Sequence, residues 1–144
     1  MSLYETDFYH WTQQQAQLLR VGNLTEIDRE NIAEEIESMG KQERAELTNR
    51  FGVLLAHLLK WQYQPERQSR SWQITIREQR RQIDRLIRKN PSLQPYLNEA
   101  LVEGYEDAID LALRETGLDE STFPTTCPYA FADVLDGAFL PVAE

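Results

Sequence analysis

The sequence predicts an all-α fold, a helical bundle of four main helices plus a short C-terminal one, with residues 1–144 forming a single helical domain. Two observations carry this. Apolar residues recur at helical spacing along almost the whole chain, whereas no stretch alternates with period two between turn signals as strands do. Cap residues and glycines then divide the periodic stretches into segments of helical length. A chain of 144 residues is long enough to bury roughly two-thirds of its unfolded surface around one core. No disulfide or metal is needed to explain its stability.

Asp7 is placed to cap a first helix, with Phe8, Trp11, Leu18 and Leu19 on its buried side and Gly22-Asn23 as the turn after it. Asp28 is placed to cap a second, and the next strong stop is Pro65. That helix would be about 35 residues and on the order of 50 Å long. Gly40 is the one break signal inside it. At about 100° per residue, Ile36 and Leu54 are five full turns apart and Leu47 lies within about 20° of them, so the apolar face keeps its phase across Gly40. An isolated glycine costs only ~1 kcal/mol, and a continuous helix past Gly40 to about Tyr63 is expected. Leu54, Leu55, Leu58 and Leu59 cover a wide arc, which makes the C-terminal half of this long helix the centre of the bundle.

A third helix begins near Ser69 or Ser71 and runs to Asn90. With Arg70 as zero, Trp72, Ile76, Ile83, Leu86 and Ile87 fall between about 160° and 260°, and Arg70, Arg77, Arg81, Arg85 and Arg88 between about −20° and 60°. The apolar and arginine stripes are therefore opposite. Ser92 is the expected cap of a fourth helix with the face Leu93, Leu97, Leu101, Gly104, Tyr105, Ala108 and Ala112. It should end at Gly117, with Leu118 placed for a Schellman contact. Glu99, Glu103, Glu106 and Asp110 form an acidic stripe on its other side. After a connector rich in proline, Tyr129 to Asp136 reads as a short last helix closed by Gly137.

Four runs taken together, Glu34-Glu35-Ile36-Glu37-Ser38-Met39, His57 to Pro65, Ser71 to Arg77 and Glu115-Thr116-Gly117-Leu118, resemble the bacterial family called domain of unknown function 29. The opening Tyr4 to Trp11 and the late Phe123-Pro124 and Cys127-Pro128-Tyr129 add to the likeness, and the His-Leu-Leu-Lys-Trp run is its most specific part. The resemblance covers nearly the whole chain in order. It implies a small, mostly helical protein common in cyanobacteria, and it implies no activity or catalytic residues.

Charge is sorted into blocks. Residues 1–46 carry −6, residues 47–90 carry +7 and residues 91–144 carry −10, within a total of −9. Such a chain either closes acid against base internally or shows a basic strip to an outside polyanion. The net charge argues against a dedicated nucleic-acid coat, because phosphate binding needs surplus cations where the duplex lies. Cys127 is the only cysteine, so no intrachain disulfide forms, which fits a reducing compartment. The opening segment has neither a basic n-region nor an apolar h-region, and no stretch approaches the ~18 apolar residues of a membrane span. A cytoplasmic protein with no membrane partner is expected.

The arginine stripe Arg70, Arg77, Arg81, Arg85 and Arg88 is the best candidate binding feature, with Trp61, Tyr63 and Trp72 near its start as stacking platforms. Without a helix-turn-helix, a zinc motif or a glycine-rich phosphate loop, the stripe favours an acidic protein partner, with RNA or DNA as the alternative. Self-association as a homo-oligomer stays open. A second group of polar residues lies on or beside apolar faces: Glu35, Glu43, Glu46, Arg50 and His57 on the second helix, Arg80 on the third and Glu115 on the fourth. Arg80, at about 280°, borders the apolar stripe and is the arginine expected to turn inward. The structural reading of this group is a set of interhelical ion pairs that fixes register; the functional reading is a charged cleft.

Glu34, Glu35 and Glu37 with His57 would suit a divalent metal or acid–base chemistry. On one continuous helix, however, Glu35 and His57 are about 33 Å apart, and the spacing matches no metal motif. Cys127 with His10 or His57 is the only available thiol–imidazole combination, and a lone cysteine is more often apolar filler. No cofactor or metal is implied, no catalytic residue is named, and an interaction or regulatory module is the favoured role over an enzyme.

Overall fold

A computed structural model describes residues 1–143, and among them six helices and no strand occur. They are α1 (Leu3–Thr6), α2 (Phe8–Arg20), α3 (Arg29–Tyr63), α4 (Arg70–Lys89), α5 (Leu97–Thr116) and α6 (Phe131–Leu135). Tight 3₁₀ turns lie at Pro65–Arg67, Pro91–Tyr96 and Glu120–Thr122. The fold is all-α, and α2 to α5 are the four main helices. The chain forms two compact units, Met1–Gln42 and Glu43–Glu144. The α3 helix is continuous past Gly40, as the preserved phase predicts. A Cβ at Gly40 would meet nothing within 4 Å, so packing does not require glycine there.

In the first unit, Asp7 caps α2 by accepting from the His10 N–H at 3.0 Å. Trp11 is the unit's buried aromatic, at 4% exposure. Its indole N–H donates to Asp28 Oδ2 at 3.0 Å, and the same oxygen accepts from Asn31 Nδ2 at 2.8 Å. The backbone N–H of Asp28 donates to the buried Gln15 Oε1 at 2.7 Å. This polar lock joins α2 to the start of α3. The hydrogen bond from Asn31 comes first among the causes that hold the Asp28 carboxyl below the usual range. Tyr4 on α1 and Phe8 lie against Trp11, with ring centroids 4.7 and 5.6 Å away.

Phe8 and Leu19 correct the expected burial of α2, since both are about half exposed. Phe8 stacks on Trp11 and meets the Tyr4 ring at 5.8 Å, and these two contacts cover only about half of it. Ile36, placed on the apolar face by phase, is exposed on α3, as is Met39. Phase fixes the side of a helix on which a residue lies, and not whether another element covers it.

The core of the second unit is built on α3. Leu47, Phe51, Leu54, Leu55, Leu58 and Leu59 are all sealed, and Ile76, Ile83 and Leu86 of α4 and Leu101, Tyr105, Ala108 and Ala112 of α5 pack in the same cluster. Ser69 caps α4 by accepting from the Trp72 N–H at 3.2 Å. The small residues of α5 permit a close crossing with α3: a Cβ on Gly104 would stand 2.8 Å from Phe51 Cβ and 3.0 Å from both Gly52 N and Thr48 O.

Three boundaries differ from expectation. Ser92 does not cap α5; residues 91–96 form a 3₁₀ turn and the α-helix starts at Leu97, in keeping with Pro95, whose ring disfavours the α conformation at Gln94. Gly117 does close α5 in the left-handed region, at φ 69°. Its N–H bonds Leu113 O at 3.0 Å while the Leu118 N–H goes to Thr116 Oγ1 at 3.2 Å, which is the αL motif and not the Schellman pattern. Gly137 plays no such role after α6, since Gly22 and Gly117 are the residues with positive φ among those described.

Candidate functional site

Because the apolar stripe of α4 faces the core, its opposite side must meet solvent, and Arg70, Arg77, Arg81, Arg85 and Arg88 are all exposed. Arg88 pairs with Asp84 of the same helix at 2.8 Å. The other four form no ion pair among the described residues. On α5, Glu99, Glu103, Glu106 and Asp110 are likewise exposed. Glu99 alone of these is bridged, to Arg44 of α3 at 3.3 Å, and the Arg44 guanidinium also lies 3.8 Å from the centre of the Tyr96 ring. No bridge joins α4 to α5 among the described residues, so the basic face of α4 and the acidic face of α5 complement each other only at long range.

The aromatics at the start of the stripe are half-buried. Lys60 Nζ lies 4.7 Å from the centre of the Trp72 ring. Tyr63 meets Phe123 edge to face at 5.4 Å. The Trp61 carbonyl accepts from Gln68 Nε2 at 3.0 Å. Trp61 and Trp72 lie near the end of α3 and the start of α4, each with part of its surface already in the fold.

The second polar group resolves into separate contacts. Glu35 accepts from the Tyr4 hydroxyl, and that bond, before any other cause, pushes the tyrosine up to about 12. Glu46 pairs with Arg50 one turn on, at 3.2 Å, and Arg50 reaches across to Gln79 Oε1 of α4 at 3.4 Å. Glu43 accepts from Asn90 Nδ2 at 2.8 Å and faces Lys89 Nζ at 3.6 Å. His57 gives its Nδ1–H to Val53 O at 2.9 Å within its own helix, and burial pulls its pKa below the ordinary value.

Arg80 turns inward as expected, at 8% exposure, yet its partners are not carboxylates. Nε donates to Val134 O at 2.8 Å, and Nη2 to Phe139 O at 2.8 Å and Asp133 O at 3.4 Å. Glu115 pairs with Lys60, a cation that sequence reasoning missed. Lys60 is only 5% exposed, and its place inside Leu58-Leu59-Lys60-Trp61 was the signal that could have found it.

Among the described residues no group of three or more His, Cys, Asp or Glu is disposed to hold a metal ion. The Cys127 Sγ lies 3.7 Å from Tyr129 O, and burial pushes its thiol up, away from the reactive thiolate. No helix among these residues is long and apolar enough to cross a membrane.

A family model described as Domain of unknown function DUF29 matches residues 3–140 of the 144. No curated protein and no solved structure matches the chain.

Proposed function

The chain belongs to the DUF29 family, and from that premise we propose that it is a small cytoplasmic interaction module whose α4 docks an acidic protein surface. The observation that carries this is the exposure of Arg70, Arg77, Arg81 and Arg85, four cations along one helix face that form no ion pair among the described residues. A stripe of guanidinium forks offers planar, bidentate recognition of carboxylates. Trp61 and Trp72 supply apolar surface at its end, in the way aromatic and arginine anchors combine at protein interfaces.

Nucleic acid is the second reading, since phosphate oxygens suit the same forks. The exposed acids of α5 and the net charge of −9 weigh against it, because they repel a polyanion within the Debye length of ~8 Å. Arg77, Arg81 and Arg85 lie opposite the buried stripe, so reversing all three to Glu leaves the core intact. Recovery of a partner from the native cell by the wild type, unaffected by nuclease and lost in the folded triple variant, is the expected result. A partner recovered equally by the variant overturns the reading. Wild-type retention on a polyanion column at near-physiological salt, lost in the variant, would replace it with nucleic-acid binding.

A further inference from the structure

Arg80 is a cation more than nine-tenths buried that forms no ion pair among the described residues. Its three hydrogen bonds use Nε and Nη2 and end on backbone carbonyls, which carry only partial charge. Among the described residues Nη1 has no protein acceptor. No side-chain nitrogen or oxygen among the described residues is both sealed from solvent and unpartnered, so Nη1 keeps contact with solvent. Arg80 also lines a cavity of about 290 Å³ whose other walls are Ile83, Asp84, Ile87, Gln94, Leu97 and Leu135.

Four of these walls are branched aliphatic side chains. Asp84 is the one acid there, and its charge is engaged by Arg88 at 2.8 Å. The cavity therefore joins a guanidinium that is bonded to no carboxylate among the described residues to an apolar lining, just below the ~300–1,000 Å³ that ligand sites occupy. Burial disfavours the Arg80 charge, and the Asp136 carboxylate offsets part of that cost without pairing directly with it; an anion bonded to the guanidinium would offset more. A phosphate or sulfate would match the charge while leaving the aliphatic walls unfilled.

We propose that the cavity between α4, α5 and α6 binds a small monocarboxylate with an apolar tail, its head on Arg80 Nη1 and its tail against Ile83, Ile87, Leu97 and Leu135. The Gln94 amide at the rim supplies a second donor to the carboxylate. This site is separate from the exposed Arg70, Arg77, Arg81 and Arg85, and of the stripe only Arg88 reaches its wall, through Asp84.

The probe is hexanoate, titrated into the folded chain and followed by amide NMR shifts, with hexanol and hexylamine as matched controls. Saturable shifts in the residues lining the cavity are expected with hexanoate. Hexanol, which lacks the charge, should bind at least about tenfold more weakly, the loss expected for one charge-assisted hydrogen bond. Leu97→Trp, which fills the cavity from its α5 wall, should abolish the shifts while the rest of the spectrum stays folded. Arg80→Gln should weaken hexanoate and leave hexanol unchanged. If that variant loosens the carbonyl contacts and unfolds, the comparison among the three probes still decides. The proposal is overturned by an absence of saturable shifts up to ~10 mM hexanoate, a concentration well above a millimolar Kd. Equal binding of hexanol, preferred binding of hexylamine, or shifts that survive Leu97→Trp overturn it as well.

Discussion

Gly104→Ala tests the close crossing of α3 and α5. The added methyl would sit 2.8 Å from Phe51 Cβ and 3.0 Å from Gly52 N and Thr48 O. Carbon atoms pack without strain at about 3.5–4.0 Å, so relief requires a shift of several tenths of an ångström. Two of the three obstacles are backbone atoms inside a helix and cannot rotate away. Overpacking of this kind costs ~1–3 kcal/mol, and the rigidity of the neighbours places it near the top of that range. Against it stands the ~1 kcal/mol that alanine gains over glycine in a helix interior. The net is a loss of about 2 kcal/mol, or a fall of about 6 °C in Tm at the ~3 °C per kcal/mol expected for a chain of this size. Gly40→Ala is the internal control, because a methyl there meets nothing within 4 Å. It should stabilise the transition that includes the N-terminal part of α3 by ~0.5–1 kcal/mol. Urea unfolding of the two variants should therefore move in opposite directions. A Gly104→Ala protein as stable as the wild type would refute the crossing as described.

Three further outcomes are expected. Glu115→Ala should cost about 1–3 kcal/mol because it strands the buried Lys60 charge, whereas Lys60→Met, which leaves a part-exposed carboxylate, should cost less than ~1 kcal/mol; equal losses in urea titration would argue against that asymmetry. Raising salt should lower Tm only slightly, since no tight pair joins the basic face of α4 to the acidic face of α5 and exposed pairs are worth ~0–1 kcal/mol; a steep drop between low and moderate salt would contradict this. Burial holds His57 below its ordinary pKa of 6.5, so the unfolded chain takes up its proton first as pH falls. Stability from this group is fully present above about 6.5 and is lost as pH drops through the lower folded value, so stability should rise with pH across that window. His57→Gln should flatten the slope, and an unchanged slope would assign it to other groups.

The long helices were legible because each repeats one apolar stripe for several turns. The phase argument at Gly40 and the inward turn of Arg80 both follow from angle alone. What angle cannot supply is the partner. Arg80 was expected among carboxylates and found carbonyls some 54 to 59 positions away in sequence, a segment with no pattern that marks it as an acceptor. Lys60 reads as an interruption in a leucine run, and only the approach of Glu115 and Trp72 makes its burial tolerable. The four residues of α1 are too few to show any period. Ile36 had the right phase and no cover, while Pro95 was a visible signal against regular α-helix at Gln94, just after Ser92.

The carbonyls that hold Arg80 also set an order of events during synthesis. The guanidinium leaves the ribosome long before Val134 and Phe139 are made, and it has to stay hydrated until they arrive. The apolar side of α4 therefore cannot close over this position until residues 133–139 have emerged. Its last contact to form is one between a side chain and the backbone, so it reads the path of residues 133–139 and is indifferent to which side chains that path carries. Substitution at the exposed positions of that segment is then tolerated wherever the carbonyls keep their places, whereas Val134 is itself sealed in the core and a deletion there would leave the cation without its acceptors.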